Sequence, residues 1–359
     1  MWRKQSSWAI LLVLAAGIKL FSFFPDAVEK YYATGLYPVI SGAQRLLFGW
    51  IPFSVGDIFY TVVVLVLVYR LFLLVKKVVQ RKTNRQYWWD LARKTAFVVL
   101  AVYVSFNLLW GLNYNRRGVA SQLGIEVNKY TKEELVGVME ELVHRLNTLD
   151  SVARVDRASL SNKGVLFRGA IHSYKKLNGQ FPVFGYSYRS VKPSLFSILG
   201  NYMGYTGYYN PFSGEAQVNT TVPLFVQPFT TCHEIGHQLG YAKENEANFA
   251  GYLAARASDN PAFRYSVYFD LYAYSRFYLF AMDSTLAKKF DDQLRPQVKD
   301  DYRELREFVL KHRNPLEALI DKLYGQYLKA NEQPEGKLSY SEVISWLVAY
   351  ARKFGKDAI

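Results

Sequence analysis

Three long apolar segments dominate the first third of the chain. They run from about residue 8 to 24, from 58 to 75 and from 95 to 112, and none contains more than one charged residue. A helix needs roughly 20 apolar residues to cross a hydrocarbon core about 30 Å thick. The pattern therefore predicts a membrane region over residues 1–112 with three transmembrane helices.

The first apolar segment has a second interpretation, a cleavable signal peptide, because Arg3 and Lys4 precede its apolar core. Small residues mark a signal-peptidase site, whereas phenylalanines crowd the end of this segment, so we favour a retained helix. The stretch 26–50 that follows is amphipathic and is expected to lie on the outer membrane surface.

The charge of the chain is concentrated beside these segments. The net charge is +14, and residues 1–112 hold 13 Lys and Arg against 4 Asp and Glu. Basic residues among apolar runs indicate a lipid bilayer as partner and no nucleic acid. Seven basic residues and one acidic residue occupy the loop 76–94. The positive-inside rule then predicts a multi-pass protein of the bacterial inner membrane, with residues 113–359 facing the periplasm or the outside.

Residues 113–359 predict a mainly α (α+β) domain with a small β edge. Thr131 and Glu134 form a capping box before a run of helical periodicity. Residues 180–225 are rich in Gly, Pro and aromatic residues, with short β-like pieces at Phe181–Tyr186 and Glu215–Asn219. The further predicted helices cover residues 227–240, 244–258, 262–283, 299–311, 314–329 and 340–354.

The strongest chemical signal is the sequence His233-Glu234-Ile-Gly-His237. Residues four apart share one face of a helix, so both imidazoles can bind a single zinc ion. Glu234 is then placed to act as general base toward a water molecule. The single cysteine of the chain excludes a disulfide framework and multi-cysteine metal clusters.

A carboxylate soon after this motif completes a possible metal site. Gly240 can end the motif helix in a left-handed turn, and a second predicted helix begins near Glu244. Both Glu244 and Glu246 can fold back to a metal ion bound by the histidines, because the seven residues from His237 to Glu244 span roughly 23 Å when extended. Two histidines and one glutamate, with a fourth position open, are typical of a catalytic zinc site.

The motif with its following ENEAN helix resembles the glutamate-type zinc metallopeptidases called gluzincins, especially the membrane CAAX-protease and antirepressor-protease branches. That resemblance implies a zincin-like domain and a Zn²⁺ cofactor held by His233, His237 and Glu244. Glu244 is favoured because it precedes Ala247 by three residues and Asn248 by four, as the ligand does in those families.

Two neighbouring residues receive supporting roles. Glu246 is expected to lie on the surface or beside a metal ligand, without binding the metal itself. Asn248 lies on the same helix face as Glu244 and is expected to accept the N–H of a ligating histidine. Among the 28 tyrosines, spacing does not single out an oxyanion donor, and Tyr241 and Tyr340 are both candidates.

The layout of the whole chain, with three spans and the stretch Gly207–Asn219 before the motif, resembles an uncharacterised bacterial membrane family, domain of unknown function 3810. In the resembled peptidases, the strand before the zinc helix pairs with bound peptide. The candidate substrate strand here is Glu215, Ala216, Gln217, Val218 and Asn219. An ordinary aromatic-rich loop packed on the core is the open alternative for this stretch.

The sequence therefore favours a membrane-anchored zinc peptidase acting on a peptide or protein substrate of unknown identity. The alternative is a proteolytically inactive membrane scaffold or sensor that binds zinc. A small-molecule transporter is a weaker hypothesis, because three spans and a large soluble domain fit it poorly.

Overall fold

The structure is a computed structural model that describes residues 2–331, 333 and 342–359, and it is mainly helical with one small sheet. In the first third, the α-helices are α1 (Trp2–Ser22), α2 (Pro25–Ala27), α3 (Tyr37–Phe48), α4 (Val55–Val79) and α5 (Arg85–Leu109), with a π-helical section, Val28–Leu36, between α2 and α3. The remaining helices are α6 (Gly118–Leu123), α7 (Lys132–Arg157), α8 (Lys163–Gln180), α9 (Ser197–Met203), α10 (Gln227–Gln238), α11 (Glu244–Arg256), α12 (Pro261–Met282), α13 (Ser284–Gln293), α14 (Pro296–His312), α15 (Glu317–Ala330) and α16 (Val343–Phe354).

Two helices, α4 and α5, are long and apolar enough to cross a membrane. A third crossing exists if α1 and the helical stretch Pro25–Phe48, which meet at a bend of 103°, together form one broken span. The third apolar segment was predicted to extend to residue 112. Helix α5 instead ends at Leu109, because the chain then tightens into the 3₁₀ helix Gly111–Asn115.

The stretch predicted to lie on the membrane surface packs its polar side on the rest of the protein. The hydroxyls of Tyr37 and Ser41 both donate to the carbonyl oxygen of Gln238, at 2.8 and 3.1 Å. On the opposite side, Val39 and Leu47 are more than 60% exposed. The apolar side of α3 is therefore exposed, and its polar side packs against the end of α10.

The sheet contains β1 (Val191–Pro193), β2 (Gly207–Asn210) and β3 (Glu215–Val218) in the order β1-β3-β2. Strand β3 pairs in parallel with β1 and antiparallel with β2, with Ala216 opposite both Val191 and Tyr209. The prediction that 215–219 forms an exposed edge strand is therefore wrong. Both sides of β3 are occupied by neighbouring strands, and it is fully buried.

Strand β3 instead anchors the start of α4. The carboxylate of Glu215 accepts the N–H groups of Val55 and Gly56, at 3.1 and 2.6 Å. These donors have no partner within the helix, and a negative charge stabilises a helix N-terminus. The predicted β-piece Phe181–Tyr186 is also wrong: it contains the 3₁₀ helix Pro182–Phe184, since proline lacks the N–H that a strand would pair.

Close packing of α10 on α11 sets the position of the motif residues. A methyl group on Gly236 would lie 3.2 Å from the carbonyl oxygen of Ala247, and one on Gly251 would lie 3.0 Å from the backbone of His233. Only glycine fits at these two crossing points without moving a backbone. Gly240, at φ +86°, then ends the turn after α10, as predicted, and returns the chain toward α11.

The bounds of the helices predicted after residue 226 agree with the observed helices to within about three residues. The helices predicted at 227–240, 244–258 and 262–283 correspond to α10, α11 and α12. The helix predicted at 340–354 corresponds to α16, and its first predicted residues lie outside the described residues.

Candidate metal centre

The two motif histidines and Glu244 meet in the interior of the protein. His233 and His237 are one turn apart on α10, and Glu244 is the first residue of α11. The Oε2 atom of Glu244 lies 3.3 Å from Nε2 of His233 and 3.6 Å from Nε2 of His237. One ligand atom from each residue lies within 4.8 Å of the others, and all three residues are buried. This group could hold a metal ion.

Glu246 does not join the group. Its carboxylate lies against Gly118, where even a methyl group would collide with it. It is buried, and this burial raises its pKa, while the charges of Lys243 and Arg116 act in the opposite direction. The structure thus brings Glu244, rather than Glu246, to the two imidazoles.

The orientation of His237 is set by its second ring nitrogen. Nδ1 lies 2.8 Å from the carbonyl oxygen of Tyr241, which can only accept, so Nδ1 carries the proton and Nε2 faces Glu244. The backbone oxygen of His237 accepts the indole N–H of Trp110 at 3.0 Å. Nδ1 of His233, by contrast, has no hydrogen-bond partner in the described part of the chain. Neither Nδ1 atom therefore makes the hydrogen bond to Asn248 that was expected of a ligating histidine.

Charge interactions within the group are strong. Burial raises the pKa of Glu244, but the adjacent imidazoles of His233 and His237 outweigh it and hold the pKa well below its usual range. Burial lowers the pKa of His237, but the adjacent carboxylate of Glu244 outweighs it and raises the pKa to about 9. The cluster thus favours a positive charge between the carboxylate and the imidazoles.

Glu234 faces the same cavity from the same helix. It is 3% exposed, and its Oε2 atom has no hydrogen-bond partner among the described residues. Burial raises the pKa of this carboxyl to about 7, with the nearby histidines acting in the opposite direction. A carboxyl with this pKa can accept and release a proton near neutral pH. Its side chain rests against Gly207 of β2.

Tyr324 is a site residue that the sequence did not single out. Its hydroxyl, from α15, donates to Oε1 of Glu244 at 2.8 Å. Of the two tyrosines considered from the sequence, Tyr241 donates to Gln122 and Tyr340 lies outside the described residues. Tyr324 is 80 residues from Glu244, and no local spacing connects them.

Asp270 on α12 is a second residue that sequence reasoning missed. It is partly buried, and burial raises its pKa to about 7, while the His233 imidazole acts in the opposite direction. A carboxyl group therefore lies within electrostatic range of the histidine whose Nδ1 is unpartnered.

A cavity of about 810 Å³ contains the group and opens beyond it. Its lining includes the two histidines, Glu234, Glu244 and the edge strand β2. Residues of α1, α4, α5 and α15 complete it. A concave site with a proton acceptor beside possible metal ligands is suited to hydrolysis.

Fold and site together define a mainly helical protein with two or three helices apolar enough to span a membrane and a buried group able to hold a metal ion. The chain belongs to the family described as "Protein of unknown function (DUF3810)", which matches residues 32–348. The resemblance to that family is thereby confirmed, and the match covers both α4–α5 and the metal centre. No curated protein and no solved structure matches the chain significantly.

Proposed function

We propose that this protein is a membrane-anchored, zinc-dependent peptidase. The observation that carries the proposal is the convergence of His233, His237 and Glu244 beside the buried carboxylate of Glu234, whose Oε2 atom has no hydrogen-bond partner among the described residues. Three potential metal ligands and a proton acceptor are the parts that metal-assisted hydrolysis requires.

The spacing of the three ligand atoms fits zinc. Atoms about 2.0–2.1 Å from one ion at tetrahedral angles lie roughly 3.3 Å apart. The two Nε2 atoms lie 3.3 and 3.6 Å from Oε2 of Glu244. Oε2 also has no hydrogen-bond partner among the described residues, which a bound cation would relieve. When bound, zinc supplies Lewis acidity, which polarises a carbonyl group and makes water a better nucleophile.

Glu234 performs the proton transfers in this proposal. In its ionised form, the carboxylate takes a proton from the attacking water and then delivers it to the nitrogen of the departing amine. Burial raises the pKa of this carboxyl to about 7, and the positive charge of zinc lowers it again, so the carboxylate is ionised and can accept a proton at physiological pH.

The outer edge of β2, which lines the cavity, is the place where an extended peptide can bind. Strand β2 forms one side of the three-stranded sheet, and Gly207 at its start lies against Glu234. A peptide added to this edge by backbone hydrogen bonds would pass directly before the carboxylate. This assigns to β2 the role that the sequence assigned to 215–219.

The membrane assignment extends this proposal. Residues 113–359 face the outside of the bacterial inner membrane, since the basic loop 76–94 favours the cytoplasmic side. The apolar surfaces of α4 and α5 contact the lipid bilayer.

The test measures zinc and turnover in the purified full-length protein. We expect about one zinc per chain in the wild type, loss of zinc in Glu244→Ala, and retention in Glu246→Ala. The wild type should cleave a randomised peptide library, as followed by mass spectrometry. A chelator should inhibit this cleavage, and added zinc should restore it.

Glu234→Gln serves as the matched catalytic control, because it keeps the shape of the side chain but cannot accept the proton. It should bind zinc normally and lose cleavage by roughly 100-fold or more. Cleavage that persists in this variant would refute the mechanism. Zinc binding without any cleavage would instead support the inactive scaffold or sensor.

A further inference from the structure

We propose that the substrate is a polypeptide anchored in the membrane, cut just outside its transmembrane segment, and admitted from the bilayer between α4 and α5. This inference rests on the proposed peptidase function and names the substrate class of the same site.

The first observation is the extent of the cavity. The space that contains Glu234 is also lined by Ile18 of α1 and by Val102 and Tyr103 of α5. Val102 lies seven residues before the end of α5 at Leu109, which corresponds to about 10 Å along a helix. The cavity therefore continues from the hydrolytic groups into the depth of an apolar helix.

The second observation concerns how α4 and α5 pack beside the cavity. Helix α1 packs along α5, whereas α4 packs extensively on no other helix or strand of the described chain. Tyr60 of α4 and Val102 of α5 line the cavity from different helices. At the far end of the pair, the Lys77 ammonium lies 4.9 Å from the ring centre of Tyr87. The two helices thus line the cavity from two sides, and the proposed route from the bilayer runs between them.

The near end of α4 is held firmly. Asp57 accepts the backbone N–H of Leu195 at 2.6 Å and the hydroxyl of Tyr208. Together with the cap from Glu215, these bonds fix α4 to the sheet that carries the edge strand β2. A polypeptide passing α4 from the bilayer therefore meets β2 directly.

The third observation places the metal centre at the boundary of the span. Trp110, the first residue after α5, donates its indole N–H to the backbone oxygen of the metal-ligand residue His237. The metal centre is thus hydrogen-bonded directly to the residue that follows α5. A bond hydrolysed there lies close to the membrane end of any substrate.

An apolar patch beside α4 supports the same position. Leu195, Ile198 and Leu199 are more than half exposed, and Leu195 is bonded to Asp57 near the start of α4. Exposed aliphatic side chains next to a spanning helix are suited to the lipid interface. The catalytic part would therefore rest on the bilayer, with its cavity directed into it.

The two ends of the cavity match the two parts of an anchored polypeptide. The apolar end near Ile18 and Val102 suits the last turn of a transmembrane segment, and the end at β2 suits the extended chain that follows it. In the reaction, water adds across one peptide bond: the C–N bond breaks, a C–O bond forms, and the products are a carboxylate and an amine. A soluble peptide would leave the apolar end unused.

The test compares two substrates with the full-length protein in nanodiscs. Both carry the same randomised juxtamembrane segment, but only one continues into a transmembrane segment. We expect kcat/KM to be at least about 10-fold higher for the anchored substrate, because the bilayer raises its effective concentration at the opening.

Two substitutions on one helix make the test specific. Val102→Trp fills the cavity and should lower the ratio of anchored to soluble cleavage about fivefold or more. Val99→Trp adds the same side chain at an exposed position outside the cavity lining and should leave the ratio unchanged. Equal cleavage of the two substrates, or equal ratios in the two variants, would overturn this inference and leave the peptidase proposal standing.

A binding experiment separates the two proposals if no cleavage is seen. In the Glu234→Gln background, a photocrosslinking side chain replaces Val102 or, as the control, Val99. Crosslinking of the anchored peptide at Val102 well above Val99 supports the inference even without hydrolysis. Crosslinks to phospholipid alone would overturn it and indicate a lipid as the occupant.

Discussion

Gly207 lies on the edge strand β2, directly against the proposed catalytic carboxylate. A Cβ atom at this position would lie 2.7 Å from Oε1 and 2.9 Å from Cγ of Glu234, and 2.9 Å from the backbone oxygen of Gln217. The last contact belongs to the central strand β3, which neighbouring strands hold on both sides. In Gly207→Ala, the clash is therefore relieved mainly by movement of the Glu234 side chain, because the sheet is held more firmly.

The size of this movement follows from the distances. Ordinary contacts begin near 3.4 Å, so Oε1 must retreat by about 0.7 Å. A displacement of about 1 Å at a reacting group can cost roughly 100-fold in rate. We expect Gly207→Ala to lower kcat/KM by about 10- to 100-fold, equivalent to roughly 1.4–2.7 kcal/mol. Zinc content should be unchanged, because no ligand moves.

The assay measures cleavage kinetics and zinc content for the wild type, Gly207→Ala and a control. Gly179→Ala is the matched control, because a Cβ there meets no atom within 4 Å. Full activity in Gly207→Ala would refute the proposal that cleavage depends on the exact position of the Glu234 carboxylate. Loss of zinc together with activity would show that the substitution disturbs the whole centre instead.

Three further predictions concern neighbouring groups. Tyr324→Phe removes the donor to Glu244 and should weaken zinc binding about 10-fold in a competition titration, whereas unchanged affinity would contradict a supporting role. Glu234 must be ionised to accept a proton, so kcat/KM should fall as pH falls through its pKa. The positive charge of zinc lowers that pKa from about 7, so an acid limb above pH 7 would contradict the assignment. Glu215→Ala leaves two N–H groups of α4 unpartnered and should destabilise the protein by about 2–3 kcal/mol in thermal unfolding; an unchanged midpoint would contradict the cap.

The sequence predicted the helical parts of the fold well, because their signals are local. The apolar lengths of α4 and α5 and the i, i+4 spacing of His233 and His237 depend only on the geometry of a single helix. Gly240 is a similar case, since the turn that it permits is determined by its own φ angle.

The strand at 215–218 was predicted, but its place in the sheet was not, because pairing is not local. The residues of β3 have the composition of a strand, but their place in the centre of the sheet depends on β1 and β2 on either side. The edge that a substrate could meet is β2. Likewise, Tyr324 and Asp270 come from distant helices, and no spacing along the chain associates them with Glu244 or His233.

By itself, the sequence determined the apolar helices, the helical histidine pair and the acidic residues within reach of it, because each follows from backbone periodicity over a few turns. The tertiary structure decided which glutamate meets the imidazoles, which outer strand lines the cavity, and how closely the metal centre approaches α5. Those features depend on close approach between elements, such as the glycine contacts of α10 with α11 and the bond from Trp110 to His237. Such contacts form only when the whole chain packs.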